Sequence, residues 1–273
     1  MTGVRGKVRD WMPPALLQAY RRLRGESIAF RGSYPNWAAA LAVSRGYADE
    51  VIVERVRQAQ LQVRAGAGAF ERDGVVLPRT EYDFPLLAAL LRVAATQQRL
   101  QVADFGGSLG STYFQHREAL RGVPDLKWDV VEQTHFVECG RSQFADEVLG
   151  FKFSLQECFE AVRPNVILLS SVLPYIPKPY ELIEQVRALG AEFVLLNRTP
   201  VLPLGSQDVL TVQHVALAEY KTSYPAWLLG QERLFAAFAP AYRPILEFES
   251  GEHWQVGAQE ALCVGSLLKR VDG

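Results

Sequence analysis

The sequence predicts an α/β fold: a mostly parallel sheet of seven strands, helices on both faces, and an antiparallel pair closing one edge. Three observations predict it. After residue 100, short apolar runs alternate with helical patterns; the runs are 100–105, 128–132, 151–153, 166–170 and 193–197. Each run is apolar nearly throughout, as in parallel strands buried on both faces. Two later runs, 245–249 and 262–268, have no long helix between them and suit an antiparallel pair.

Composition agrees with a folded globular chain. The 273 residues are 49% apolar and 22% charged, enough for a sizeable core. At about 150 residues per domain this length suggests roughly two domains, or one large domain with extensions. The 29 basic residues nearly balance the 30 acidic ones, so no global charge draws the chain to nucleic acid. Cys139, Cys158 and Cys263 are far apart and odd in number, against a disulfide framework or a thiolate metal cluster. A reducing cytoplasm and no resident metal are expected. The longest apolar run, 166–176, is too short to span a bilayer, and the N-terminus shows no signal-peptide pattern.

The elements follow in order. Residues 1–31 carry seven basic and two acidic residues. Pro14 can open a helix there, with Leu16, Leu17, Tyr20 and Leu23 on one face. Such a helix docks on the domain or makes a weak peripheral contact with an anionic membrane. Residues 33–100 read as three helices. Ser33 is the expected cap of the first, a second runs from 48 to 64, and Asp83 or Pro85 begins the third. A helical N-terminal region, 1–97, is therefore expected before an α/β domain, 98–273. Within the domain, helical patterns at 112–121, 134–148, 155–162 and 179–189 separate the strands. Residues 198–230 break the alternation as a long insert rich in Tyr, Trp, Pro and Leu, expected to serve as a lid or acceptor region.

Chemistry concentrates at the ends of the strands. The first strand runs into Asp104, Phe105, Gly106, Gly107, Ser108, Leu109 and Gly110, and a helix follows. Glycine allows positive φ and close backbone approach to a ligand, and the next helix offers free N–H groups. In an open parallel sheet, ligands bind beyond the carboxyl ends of the strands. The spacing does not match the G-x-G-x-x-G dinucleotide pattern, which needs glycine at Ser108 and Ser111. The second strand ends in Glu132, followed by Gln133; an acid there can accept hydrogen bonds from both ribose hydroxyls of an adenosine ligand. The alternatives at these positions are a tight turn without a ligand and a solvated acid at a strand end.

Asp104, Gly106, Ser108 and Gly110 form an acid-x-Gly-x-(Gly/Ser)-x-Gly pattern that resembles the first motif of class I S-adenosylmethionine-dependent methyltransferases. The run 166–180 resembles that family's fourth strand and following loop, with Lys178 where Asp is usual. The whole chain is also similar to bacterial methyltransferases associated with surface-polysaccharide genes. Segments 30–37, 104–111, 131–133, 197–200, 211–213 and 223–227 carry that similarity. The resemblance implies a Rossmann-like methyltransferase fold, strand order 3-2-1-4-5-7-6, and S-adenosylmethionine as cofactor. It implies that Ser170, Ser171 and Tyr175 face the methionine part of the cofactor and the acceptor.

The expected activity is methyl transfer, as O-methylation, to a small-molecule or glycan acceptor. A hydroxyl acceptor usually needs a general base, and His214 or Asp208 in the insert is the candidate; His135 lies on the adenosine side. Arg198, Tyr220, Tyr224 and Trp227 are expected to shape the acceptor pocket, and such aromatic residues can stack on sugar rings. Two alternatives remain at this point: a non-catalytic adenosine-binding partner subunit, and a nucleotide-sugar or NAD-linked Rossmann enzyme.

Overall fold

A computed structural model describes residues 27–45, 49–72, 74–217, 220–256 and 259–271. The expected basic N-terminal helix, opening at Pro14, lies outside the described residues.

The central sheet is built from seven strands. They are β4 (Leu100–Phe105), β5 (Leu126–Val131), β6 (Leu149–Lys152), β7 (Val166–Ser170), β8 (Phe193–Leu202), β11 (Tyr242–Val256) and β12 (Gln259–Arg270). They lie in the order β6-β5-β4-β7-β8-β12-β11, which is 3-2-1-4-5-7-6 counted within this domain. The first five are parallel, and β12 is antiparallel to both β8 and β11. The fold is therefore the expected α/β type with its antiparallel C-terminal pair.

The uniform apolarity of the strands has a direct cause. Val102, Val130, Leu168 and Leu195 pack on one face, whereas Ala103, Val131, Ile167, Leu169 and Leu196 pack on the other. The period-2 alternation of a strand sends neighbouring residues into two different cores. Each fully buried Val, Leu or Ile contributes about 1.5–3 kcal/mol relative to exposure. The first face is covered by α3 (Phe84–Gln97), α4 (Ser111–His116) and α5 (Thr134–Gln143), the second by α6 (Leu155–Ala161), α7 (Pro179–Leu189) and α8 (Gln231–Phe238). Helix α3 begins at Asp83, whose Oδ1 accepts from Leu86 N at 3.2 Å, and Pro85 stands in its first turn. Helix α7 opens on Pro179 and closes on Gly190 at φ +68°.

The N-terminal region holds the expected helices, α1 (Trp37–Ala42), α2 (Asp49–Arg64) and α3. The cap of α1 is Asn36 rather than Ser33: its Oδ1 accepts from Ala39 N at 2.9 Å. Three short strands accompany the helices: β1 (Ser27–Arg31) and the β2 (Phe70–Arg72)–β3 (Val75–Leu77) hairpin.

The expected long loop at 198–230 is mostly strand. β8 continues through Leu202, and β9 (Val209–Leu217) and β10 (Tyr220–Gly230) form an antiparallel pair. The Val- and Thr-rich alternation of 209–217 is strand chemistry, with Leu210 and Val212 buried beside Ala40 of α1. β8 outruns β7, whose last pairing is Ser170 with Asn197. Beyond that point β10 takes the edge that β7 leaves, pairing Leu229 and Gly230 with Val201 and Leu202. β1 then adds to β9. A three-stranded wall, β1-β9-β10, thus stands past the C-terminal ends of the parallel strands.

Candidate functional site

The turn after β4 is held by glycine conformations and by a buried acid. Gly106, Ser108 and Gly110 have φ of +74°, +56° and +88°. Gly106 N donates to Val131 O at 2.9 Å, folding the turn over the end of β5. A Cβ on Gly107 would lie 2.5 Å from Asp104 Oδ2, so only glycine leaves room for this carboxylate. Asp104 is 1% exposed and accepts from Trp128 Nε1 at 3.0 Å. Burial raises its pKa to about 7; the Trp128 hydrogen bond opposes that rise and the nearby Glu132 charge adds to it. Ser108 explains itself in this geometry: its left-handed φ is one that glycine adopts without strain, which is why a glycine would serve equally at that place in the motif.

Glu132, half-buried at the end of β5, accepts from Ser108 N at 3.3 Å and Gln133 N at 2.8 Å, tying the second strand to the glycine turn.

A cavity of about 930 Å³ runs from this turn to the β1-β9-β10 wall. Single-ligand pockets occupy about 300–1,000 Å³, so this cavity lies near the upper end of that range. Of the cofactor candidates, Asp104, Gly106, Gly107, Ser108, Ser170 and Ser171 line it. Phe105, Gly110, Glu132 and Gln133 sit beside the turn without lining the cavity. Of the acceptor candidates, Tyr175, Arg198 and Tyr224 line it. Tyr175 and Tyr224 meet edge to face with centroids 5.3 Å apart, and Tyr175 Oη donates to Gln213 Oε1 at 2.8 Å. Ser171 and Arg198 are non-glycine residues at φ +55° and +48°, so strained backbone accompanies the wall at both strand ends.

Other candidates stand elsewhere. His214 does not line the cavity. Its neighbours Gln213 and Val215 do, and strand alternation turns His214 to the opposite face, paired with Ala29 and Ser223. Burial holds its pKa below the usual imidazole value, with the Arg31 and Arg45 charges acting the same way. Asp208 is committed to structure. It accepts from Tyr180 Oη at 2.9 Å, Gly230 N at 2.8 Å and Arg233 Nη1 at 2.7 Å, knotting the foot of the hairpin to α7 and α8. Trp227 packs in the core against Leu210 and Val212 rather than in the cavity. Tyr220 begins β10, and its side chain lies outside the described residues.

The cavity also includes residues that the sequence reading missed as site residues: Asp83, Asn197, Gln213, Glu252 and Trp254. Arg198 Nη2 meets Glu252 Oε1 at 3.3 Å across the mouth of β8 and β11. Asn197 had a visible signal. Like Asp104, Glu132 and Ser170, it is a polar residue at or just past the C-terminal end of an apolar run. Asp83 read as a helix cap, which it also is, and nothing in the local pattern placed 252 and 254 near the turn at 104–110. Among the described residues no group of His, Cys, Asp and Glu could hold a metal ion, and no helix is long and apolar enough to cross a membrane.

No protein-family model and no curated protein matches the chain. Among solved structures it is similar to the N-terminal domain of EvdMO1 in the presence of SAH and D-fucose, at 16% identity and TM-score 0.46, covering 84% of this chain and 100% of that one. It is similar to the CcbJ methyltransferase from Streptomyces caelestis, at 13% identity and TM-score 0.44, covering 69% and 90%. It is also similar to SAM-bound CalS10, an amino pentose methyltransferase from Micromonospora echinaspora, at 13% identity and TM-score 0.40, covering 67% and 90%.

Proposed function

We propose that this cavity binds S-adenosylmethionine and that the chain transfers its methyl group to a hydroxyl of a small-molecule or glycan acceptor. The observation that carries the reading is the continuity of one cavity from a glycine turn to an aromatic and polar wall. The turn suits a cofactor because Gly106 and Gly107 line the cavity; a Cβ on Gly106 would meet Val172 at 2.6 Å and one on Gly107 would meet Asp104, so a larger residue at either place would displace the turn that presents its backbone there.

In this reading the turn 106–108 cradles the amino-acid end, and the ribose reaches beyond the cavity lining to Glu132 beside the turn, which accepts from its hydroxyls. The bound cofactor supplies a sulfonium methyl already activated for displacement. The chain's own task is then alignment and exclusion of water. Tyr175, Tyr224 and Trp254 give the acceptor an apolar, rigid wall, and Arg198 with Glu252 offers it a donor and an acceptor side by side. The acceptor's proton has a carboxylate within the cavity, Glu252, and in this reading needs neither His214 nor Asp208.

The test is transfer of tritium-labelled methyl from S-adenosylmethionine onto monosaccharides and nucleotide-activated sugars by the full chain, beside Glu132→Gln. Labelled product from the full chain, sharply reduced in the variant, is expected. Binding of the cofactor with no label on any acceptor would instead fit a non-catalytic partner subunit.

A further inference from the structure

One cluster on the cavity wall has hydrogen-bonding capacity that no described residue uses. Asn197 ends the stretch of β8 that pairs with β7, and is 1% exposed. Its Nδ2 donates to Asp83 Oδ2 at 3.0 Å and to Ser170 Oγ at 3.2 Å. Its Oδ1 is buried and has no hydrogen-bond partner among the described residues. The amide cannot be turned over, because its oxygen would then face the Asp83 carboxylate. A buried acceptor without a donor costs free energy, so the cluster is built to be completed by a donor that arrives from outside the chain.

The charge of the cluster says what kind of donor. Asp83 Oδ1 caps α3 and Oδ2 binds Asn197; among the described residues no Lys or Arg forms a salt bridge with it. Its neighbour His116 brings no charge. Asp83 N can only donate, so His116 Nε2, 3.1 Å away, accepts, and Nδ1 donates to Thr112 O at 2.9 Å; this is the neutral ring. The cluster therefore presents three acceptor groups and one carboxylate without a salt bridge among the described residues, and all three residues line the cavity. An anionic group would bring only acceptors to a cluster that needs donors, and a hydroxyl brings one donor. A primary ammonium brings three donors, no acceptor and a positive charge.

We propose that Asp83, Asn197 and Ser170 form a seat for the ammonium group of a ligand. Two sources carry that chemistry: the amino-acid end of the cofactor, or an amine on the acceptor. The choice of probes rests on the methyl-transfer reading; the seat itself rests on the orphaned amide and the carboxylate beside it.

The test is titration calorimetry on the full chain with two ligand pairs. One pair is S-adenosylhomocysteine and its deaminated analogue. The other is D-glucosamine and D-glucose, each with S-adenosylhomocysteine present. Asp83→Asn keeps the helix cap, since Asn caps as well as Asp, but removes the charge and lets the Asn197 amide reverse. Asn197→Leu removes the acceptor. In both variants the aminated member of one pair should lose about tenfold or more in affinity, while its partner without the amine stays within about twofold. Loss confined to the first pair assigns the seat to the cofactor; loss confined to the second assigns it to the acceptor. If Asp83→Asn affects aminated and non-aminated ligands alike, or neither, the seat is wrong. If S-adenosylhomocysteine does not bind but D-glucosamine is preferred in an Asp83-dependent way, the seat stands and the methyl-transfer reading falls.

Discussion

Asp104 shows how one residue links fold and site. Its carboxyl is buried against the Gly107 backbone and held by the Trp128 indole, and its pKa rises from 3.8 to about 7. The folded chain thus holds this proton more tightly than the unfolded chain. Between about pH 4 and about pH 7 unfolding releases the proton, so stability falls as pH rises through that window and levels off above it. Asp104→Asn has no proton to lose there. Urea unfolding at about pH 5 and about pH 8 should show the variant gaining on the native chain at the higher pH. An equal gap at both values would show that Asp104 is ionised across the range. The acid was legible in the sequence as the head of a glycine motif. Its contact with Trp128 was not, because that contact joins residues 24 apart across two parallel strands.

At the scale of elements, the β9–β10 hairpin separates residues that look alike in sequence. Tyr224 faces the cavity, Trp227 the core, and His214 the far side of the wall. Read as a loop, the insert gave no basis for telling them apart; read as strands, period-2 alternation sorts them. The polar residue with the heaviest structural role is Asp208, which is 6% exposed at its side chain and joined to three elements. Asp208→Ala leaves the Tyr180 hydroxyl and Gly230 N–H without their acceptor. It should cost about 1–3 kcal/mol in urea unfolding and leave S-adenosylhomocysteine affinity unchanged within about twofold. His214→Ala should alter neither. Loss of binding in either variant at full stability would return that residue to the site.

For the whole molecule, strand type and number were legible because uniform apolar runs alternate with helical patterns, and the C-terminal pair stands out by lacking a crossover helix; the sheet order was an implication of the family resemblance alone. Pairings between distant segments were not legible. β1 joins β9 across nearly 190 residues of chain, Ser27 opposite Ala216, and Glu252 reaches Arg198 from the other end of the domain. Such contacts leave no local period to read. They nevertheless help to form the cavity, since Ile28, Gln213, Val215, Thr222, Tyr224 and Pro225 of the β1-β9-β10 wall line it together with the glycine turn. Methyl transfer in this cavity therefore requires the turn and the wall to enclose a common ligand.

Calorimetric titration of the full chain with S-adenosylhomocysteine, repeated with Gly107→Ala and with NAD, tests this most directly. The added methyl would press on the Asp104 carboxylate, which the Trp128 indole holds in place. Saturable heat from the nucleoside, abolished by Gly107→Ala and absent with NAD, is the predicted result. No heat from a folded chain, equal binding of NAD, or undiminished affinity in Gly107→Ala would contradict it.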